Sequence, residues 1–220
     1  MSLLIPLYVH PGEDPAAWHR LITMADRTYA VVLNPADGPG PSPDPAFTAA
    51  AGALRDSGAR LLGYVDTDYG ARDPDEVAED VTRHREWFAT DGCFLDRVPS
   101  GRAELSTVRR LVRTVRRLGA APVVLNPGVH PAPGYARLAD LVVTFEGHWS
   151  TYVSAFSRPE WTSRHPAERF CHLVYGVPEA LVPLSVRTAR ERGAAVCGPV
   201  TGELPNPWSR LTPALDQPQS

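Results

Sequence analysis

RLLGYVDTDYGARDPDEVAEDVTRHREWFATDGCFLDRV (60–98) contains one complete unit of the fold. It opens with a short apolar run, Leu61–Val65, and closes with another, Gly92–Leu95. The segment between them suits a helix. Asp73-Pro74 starts it as an N-cap followed by proline at the first helical position, where the missing N–H is no loss and the locked φ is already helical. Runs that are near-continuously apolar belong to strands covered on both faces, as in a parallel sheet. The unit reads strand, helix, parallel strand.

The same unit repeats in both directions. Further strands are expected at Leu3–Val9, Tyr29–Leu33, Pro122–Leu125, Leu141–Phe145, Phe170–Tyr175 and Ala195–Cys197, each short and bounded by Gly, Pro, Asn or Asp. Asp14-Pro15 and Asp44-Pro45 repeat the capping device, and Gly58, Gly119 and Gly193 stand where helix C-caps precede a strand. Segment 104–118, ELSTVRRLVRTVRRL, puts Leu105, Val108, Leu111, Val112, Val115 and Leu118 on one face and arginines on the other. Eight such units in 220 residues, without a dividing linker, predict an α/β fold: a single (β/α)₈ TIM barrel. The barrel is expected over residues 1–203. Residues 204–220, ELPNPWSRLTPALDQPQS counted from Glu203, read as a Pro-rich tail that packs on the barrel and then frays.

Composition narrows the chemistry. All 22 basic residues are arginine, which excludes a lysine Schiff base or a P-loop lysine. With the many Ala, Pro and Gly residues, this usage reads as the bias of a GC-rich bacterial genome. The net charge of −3 argues against binding nucleic acid through bulk electrostatics, so the arginine run of 104–118 reads as a solvated helix face. Cys93, Cys171 and Cys197 sit far apart in apolar runs and read as buried free thiols. No His or Cys spacing fits a metal, no motif calls for a cofactor, and no run reaches the length of a membrane span. The N-terminus lacks the basic start of a signal peptide, which makes the cytoplasm the default expectation.

Barrels of this kind carry their chemistry at the C-terminal ends of the strands. Five consecutive runs end in an acid or an amide: Asn34, Asp66, Asp96, Asn126 and Glu146. Together they describe a polar floor. Side-chain alternation puts Asp96 on the inward face with Phe94, and Glu146 on the same face as Thr144. Both acids lie on even-numbered strands, so they can share a layer, and a pair of carboxyl groups about 5–9 Å apart is what glycoside hydrolysis uses. Asp66 and Asp68 read equally as turn residues. Trp149 and Tyr152 are either core or platforms for sugar rings, and His172 is either a core histidine or a lining group.

NPADGPG (34–40), GYVDTDYGAR (63–72), DGCFLDRV (91–98), NPG (126–128), DLVVTFEG (140–147) and LPNPWSRL (204–211) match, in this order and spacing, the motifs of a known family. The chain resembles the spherulin-4 family, also called glycoside hydrolase family 135. The resemblance covers almost the whole chain and implies a (β/α)₈ barrel that hydrolyses an α-1,4-linked galactosamine or N-acetylgalactosamine polysaccharide from within. It implies Asp96 and Glu146 as the catalytic acids. Asn34, Tyr64, Asp66, Arg97, Asn126, Trp149, Tyr152 and His172 are the expected substrate-binding residues. Arg97 stands where that family usually has a second acid. A cation there is expected to lower the pKa of nearby carboxylates and to favour an acidic saccharide, or to mark a barrel that binds glycan without cleaving it. The expected partner is a carbohydrate or another small polar ligand, not nucleic acid or membrane. A barrel isomerase or aldolase acting on a small metabolite is the remaining class.

Overall fold

The computed structural model describes residues 1–216. Its eight strands are β1 (Ser2–Pro6), β2 (Thr28–Leu33), β3 (Leu61–Asp66), β4 (Gly92–Asp96), β5 (Val123–Leu125), β6 (Leu141–His148), β7 (Phe170–Tyr175) and β8 (Val196–Pro199). Each pairs in parallel with the next, and β8 returns to β1, so the sheet closes as the expected (β/α)₈ barrel. The helices are α1 (Pro15–Thr23), α2 (Pro45–Asp56), α3 (Pro74–Phe88), α4 (Leu105–Arg117), α5 (Trp149–Ala155) and α6 (Val182–Glu191).

Local chemistry sets the helix ends. The carboxylates of Asp14, Asp44 and Asp73 accept backbone N–H bonds from Ala17, Ala46 and Asp75 at 2.9, 2.8 and 2.9 Å. Each such cap contributes about 1 kcal/mol. Gly58, Gly119 and Gly193 close α2, α4 and α6 with φ of 85°, 83° and 89°, values at which a Cβ would be strained. On α4, Val108, Val112 and Val115 are buried, Leu105, Leu111 and Leu118 pack beside them, and the arginines face outwards.

The strands alternate as a barrel requires. Leu4, Val32, Leu62, Phe94, Val124, Val143 and Leu173 fill the interior. Ile5, Val31, Val65, Leu95, Leu125 and Val174 face the helices. At about 25 cal/mol per Å² of apolar area, each fully buried side chain of this size contributes roughly 1.5–3 kcal/mol before entropy is counted. The three cysteines are free and buried, as their apolar settings predict.

Three features differ from the sequence reading. First, β1 stops at Pro6 instead of Val9, because proline has no N–H to continue the ladder. Second, no α-helix joins β5 to β6. Pro127, Pro131 and Pro133 interrupt that segment and leave only a 3₁₀ turn, Pro133–Arg137. A second 3₁₀ segment, Pro213–Asp216, stands where a helix would follow β8. Third, the tail packs on the barrel as read, but it does so over the mouth, a position the sequence did not assign. Tyr8 donates its N–H to the Trp208 carbonyl at 2.8 Å, Asn206 donates its amide to the Tyr8 carbonyl at 3.2 Å, and Trp208, Leu211 and Leu215 are buried. Residues 217–220, where fraying is expected, lie outside the described residues. Among the described residues, no helix is long and apolar enough to cross a membrane.

Candidate active site

At the C-terminal end of the strands lies an open cavity of about 700 Å³. Of the residues singled out from sequence, Asn34, Tyr64, Asp96, Arg97, Asn126 and Glu146 line it. Its centre is a single carboxamide. Asn126 follows β5, between the ends of β4 and β6. Its Nδ2 donates one hydrogen to Asp96 Oδ1 at 2.6 Å and the other to Glu146 Oε2 at 2.5 Å. Its Oδ1 accepts the Gly128 N–H at 3.0 Å, which fixes the orientation of the amide. Two oxygens that share one nitrogen at these distances lie within about 5 Å of each other, the spacing of a two-carboxylate hydrolytic pair.

How Glu146 reaches the mouth was not legible in the sequence. Val143 pairs with Cys171 and faces inwards, whereas Phe145 pairs with His172 and faces the helices. The register slips between them at Thr144. This bulge inserts one residue, reverses the alternation and turns Glu146 into the cavity opposite Leu173. Glu146 therefore shares its face with Val143, not with Thr144 as strict alternation predicts. Asp96 follows the expected pattern, inward with Phe94 and registered against Asp66.

The two acids are held differently. Asp96 accepts from the Tyr64 hydroxyl at 2.8 Å as well as from Asn126. Burial raises its pKa, and these hydrogen bonds oppose the rise by favouring the ionised form. Burial and then the Asp96 charge push Glu146 up to about 7. The same burial and the Asp96 carboxylate drive Tyr64 well above its ordinary range, so it remains a donor. The turn after β4 is clamped from the β3 side. Thr67 Oγ1 donates to the carbonyls of Asp96 and Arg97 at 3.0 and 2.9 Å, and the Tyr69 N–H donates to Arg97 O at 2.6 Å.

Arg97 does not act on the pair as the sequence predicts. Its guanidinium turns away, bonds Asp68, pairs with Asp66 at 3.2 Å and lies 5.1 Å over the Tyr69 ring. Asp96 and Glu146 are both raised, with burial as the first cause in each. For Asp96 and Glu146 the expected lowering is thereby corrected. Asp66 is also diverted from the cavity: it accepts the Asp68 N–H at 2.8 Å and serves as the counter-charge of Arg97.

Trp149, Tyr152 and His172 are corrections as well, since none of them lines the cavity. His172 pairs with Phe145 and Cys197, both outward-facing, so it points into the helix layer. There the wholly buried Tyr152 meets its Nδ1 at 2.8 Å, and burial holds its pKa down at about 3. Trp149 packs on Tyr152 on the same outer side. Because α5 begins directly at Trp149, its aromatic side covers β6 and β7 from outside.

Sequence reading missed Tyr8, Asp37, Tyr69, Tyr175, Asn206 and Trp208, all on the cavity wall. Tyr8 and Tyr175 had a usable signal. They keep the inward parity of Leu4 and Leu173, so a strand-end survey extended to β1 and β7 finds them. The tail residues carried no such signal. Among the described residues, no group of three or more His, Cys, Asp or Glu is arranged to hold a metal ion.

A family profile described as spherulation-specific family 4 matches residues 2–211. The chain belongs to this family. Spherulin-4 of Physarum polycephalum, a curated family member, is 32% identical over 172 residues, covering 76% of this chain and 50% of the relative. The chain thus spans about half the length of the curated relative it matches. Among solved structures, Aspergillus clavatus Sph3 in complex with GalNAc superposes with a TM-score of 0.84 at 27% identity, covering 98% of this chain and 94% of that one. A chitinase of Rhizomucor miehei, at 10% identity and a TM-score of 0.59 over 98% and 99% of the two chains, shares the barrel fold. The family member described here therefore shares the barrel fold of these proteins.

Proposed function

We propose that this protein hydrolyses an α-linked galactosamine or N-acetylgalactosamine polysaccharide by a double displacement, with Asp96 as nucleophile and Glu146 as general acid and then base. The carrying observation is the Asn126 amide that joins two carboxyl groups with different proton affinities. A carboxyl poised near 7 can protonate a leaving oxygen at neutral pH, while a carboxylate held by two donors stays ionised to attack. Glu146 gives its proton to the glycosidic oxygen as Asp96 bonds to the anomeric carbon and the aglycone departs. Water deprotonated by Glu146 then attacks that carbon and releases Asp96. Asn126 holds both acids in register, and Tyr64 orients Asp96. Tyr8, Tyr175 and Trp208 supply the aromatic surface that Trp149 and Tyr152 were expected to provide. The GalNAc bound to Sph3 supports the choice of sugar.

The test is release of reducing ends from α-1,4-galactosaminoglycan oligomers of defined acetylation. Asp96→Asn and Glu146→Gln are each expected to lower kcat/KM by roughly a thousandfold or more. In the wild type, kcat/KM should fall as pH rises through about 7, because Glu146 loses the proton it must donate. Retained activity in either variant would remove that residue from the mechanism.

A further inference from the structure

His84 lies on α3, outside the cavity. Its ring is buried against β3 in a niche that exists because Gly63 has no side chain, since a Cβ there would collide with the imidazole. Its Nε2 lies 2.8 Å from the Tyr64 carbonyl oxygen. A carbonyl can only accept, so Nε2 carries the proton and donates it. Its Nδ1 is buried with no hydrogen-bond partner among the described residues. A leucine would fill the niche without such an orphan, so packing alone does not call for histidine. The bond to Tyr64 does. The parallel ladder shows why that carbonyl needs a donor. The Val31 N–H donates to Arg60 O at 2.9 Å, and the Asp91 N–H donates to Leu61 O at 2.9 Å. Even-numbered carbonyls of β3 therefore face β2, and odd-numbered ones face β4. With Leu33 registered against Gly63, the donor due next at Tyr64 O is the N–H of residue 35. Residue 35 is proline and has none. Pro35 lines the cavity and Asn34 Oδ1 accepts the Gly38 N–H at 2.8 Å, so the chain leaves β2 for the mouth at this point. His84 supplies from α3 the donor that this turn takes away. The hydroxyl of the same Tyr64 donates to Asp96 Oδ2 at 2.8 Å.

We propose that His84 is a positioning residue of the site: by holding the Tyr64 backbone where β2 lets go of it, His84 keeps the Tyr64 hydroxyl on Asp96. The catalytic consequence rests on the hydrolase reading above, in which Asp96 is the nucleophile. Phe94 and Tyr8 flank the Tyr64 ring, but ring contacts at 6.3 and 5.7 Å leave its hydroxyl to be aimed by the backbone. The bond is also constant. Burial holds His84 down at about 4, outweighing Asp80 one turn earlier on α3, which favours the charged form. The imidazole thus stays neutral, with Nε2 as donor, across the range in which Glu146 titrates.

The experiment titrates the Asp96 carboxyl group by carbon-13 NMR in wild type, His84→Leu, His84→Gln, Tyr64→Phe and the double variant His84→Leu, Tyr64→Phe. The Tyr64 bond favours the ionised carboxylate, so its loss should raise the Asp96 midpoint. Tyr64→Phe should therefore raise it, His84→Leu should move it in the same direction, and the double variant should lie no higher than Tyr64→Phe alone. His84→Gln, whose amide can donate to the same carbonyl, should return the midpoint towards wild type. In the cleavage assay, His84→Leu should lower kcat by up to about a hundredfold and leave KM little changed. A midpoint that stays put in folded His84→Leu overturns the inference and leaves hydrolysis standing. So does a midpoint that His84→Leu moves equally when residue 64 is already phenylalanine. If circular dichroism shows that His84→Leu does not fold, nitrogen-15 NMR of the wild-type imidazole decides: a proton on Nε2 supports the inference, and a proton on Nδ1 overturns it. The predicted midpoint shifts without cleavage by wild type support the inference and overturn hydrolysis.

Discussion

Glu146→Gln should make the protein more stable, and only on the alkaline side. The Glu146 carboxyl is raised from 4.5 to about 7 by burial and by the Asp96 charge. Between those values the folded protein holds a proton that the unfolded chain has released. Stability therefore falls as pH rises through this window and stays reduced above it. At about 1.4 kcal/mol per pKa unit, the loss is roughly 3 kcal/mol by pH 8.5. Glutamine has no proton to lose, and its Oε1 can still accept the Asn126 amide that Glu146 now accepts. The stability gap between variant and wild type should thus be near zero at pH 4 and roughly 3 kcal/mol at pH 8.5. Urea unfolding followed by tryptophan fluorescence reads this directly, as a midpoint gain on the order of 1 M at alkaline pH. A gap that does not change with pH would refute the elevated pKa and take the general-acid role of Glu146 with it. Gained stability alongside lost cleavage would be the usual cost of keeping an ionisable group dry where chemistry needs it.

Two further expectations concern residues that the structure moves out of the mechanism. Arg97→Glu, which puts an acid where the family usually has one, would set a third carboxylate between Asp66 and Asp68. These groups are partly exposed, so the loss should be about 1 kcal/mol and should shrink in high salt; an unchanged melting temperature at low salt would count against the pairing. Tyr152→Phe removes the hydroxyl that meets His172 in the buried aromatic layer. It should cost roughly 1–3 kcal/mol of stability and leave KM for glycan unchanged, whereas a raised KM with unchanged stability would return Tyr152 to the cavity.

Much of the fold was legible because its signals are local. A carboxylate that caps a helix start and a glycine that ends one act within a few residues of chain, so Asp14, Asp44, Asp73, Gly58, Gly119 and Gly193 could be placed without knowing what the helices pack against. The strand-end survey worked for Asp96 and Asn126 for a related reason: in a barrel, the end of every strand is delivered to the same face. It failed for two expected binding aromatics that follow Glu146. Trp149 and Tyr152 are near it in sequence, but α5 carries them to the outer layer.

The sequence by itself determined the eight-unit barrel, the polar ring at its mouth and the absence of lysine chemistry, because periodicity, caps and composition are properties of the chain alone. Only the tertiary structure decided that Glu146 enters that ring. The turn inwards depends on a register slip at Thr144, which is a relation between two strands and leaves no trace in the alternation of one. It likewise decided that Arg97 is spent on Asp66 and Asp68. Electrostatic partnership depends on which loops meet over the mouth, and those loops are brought together by closure of the barrel.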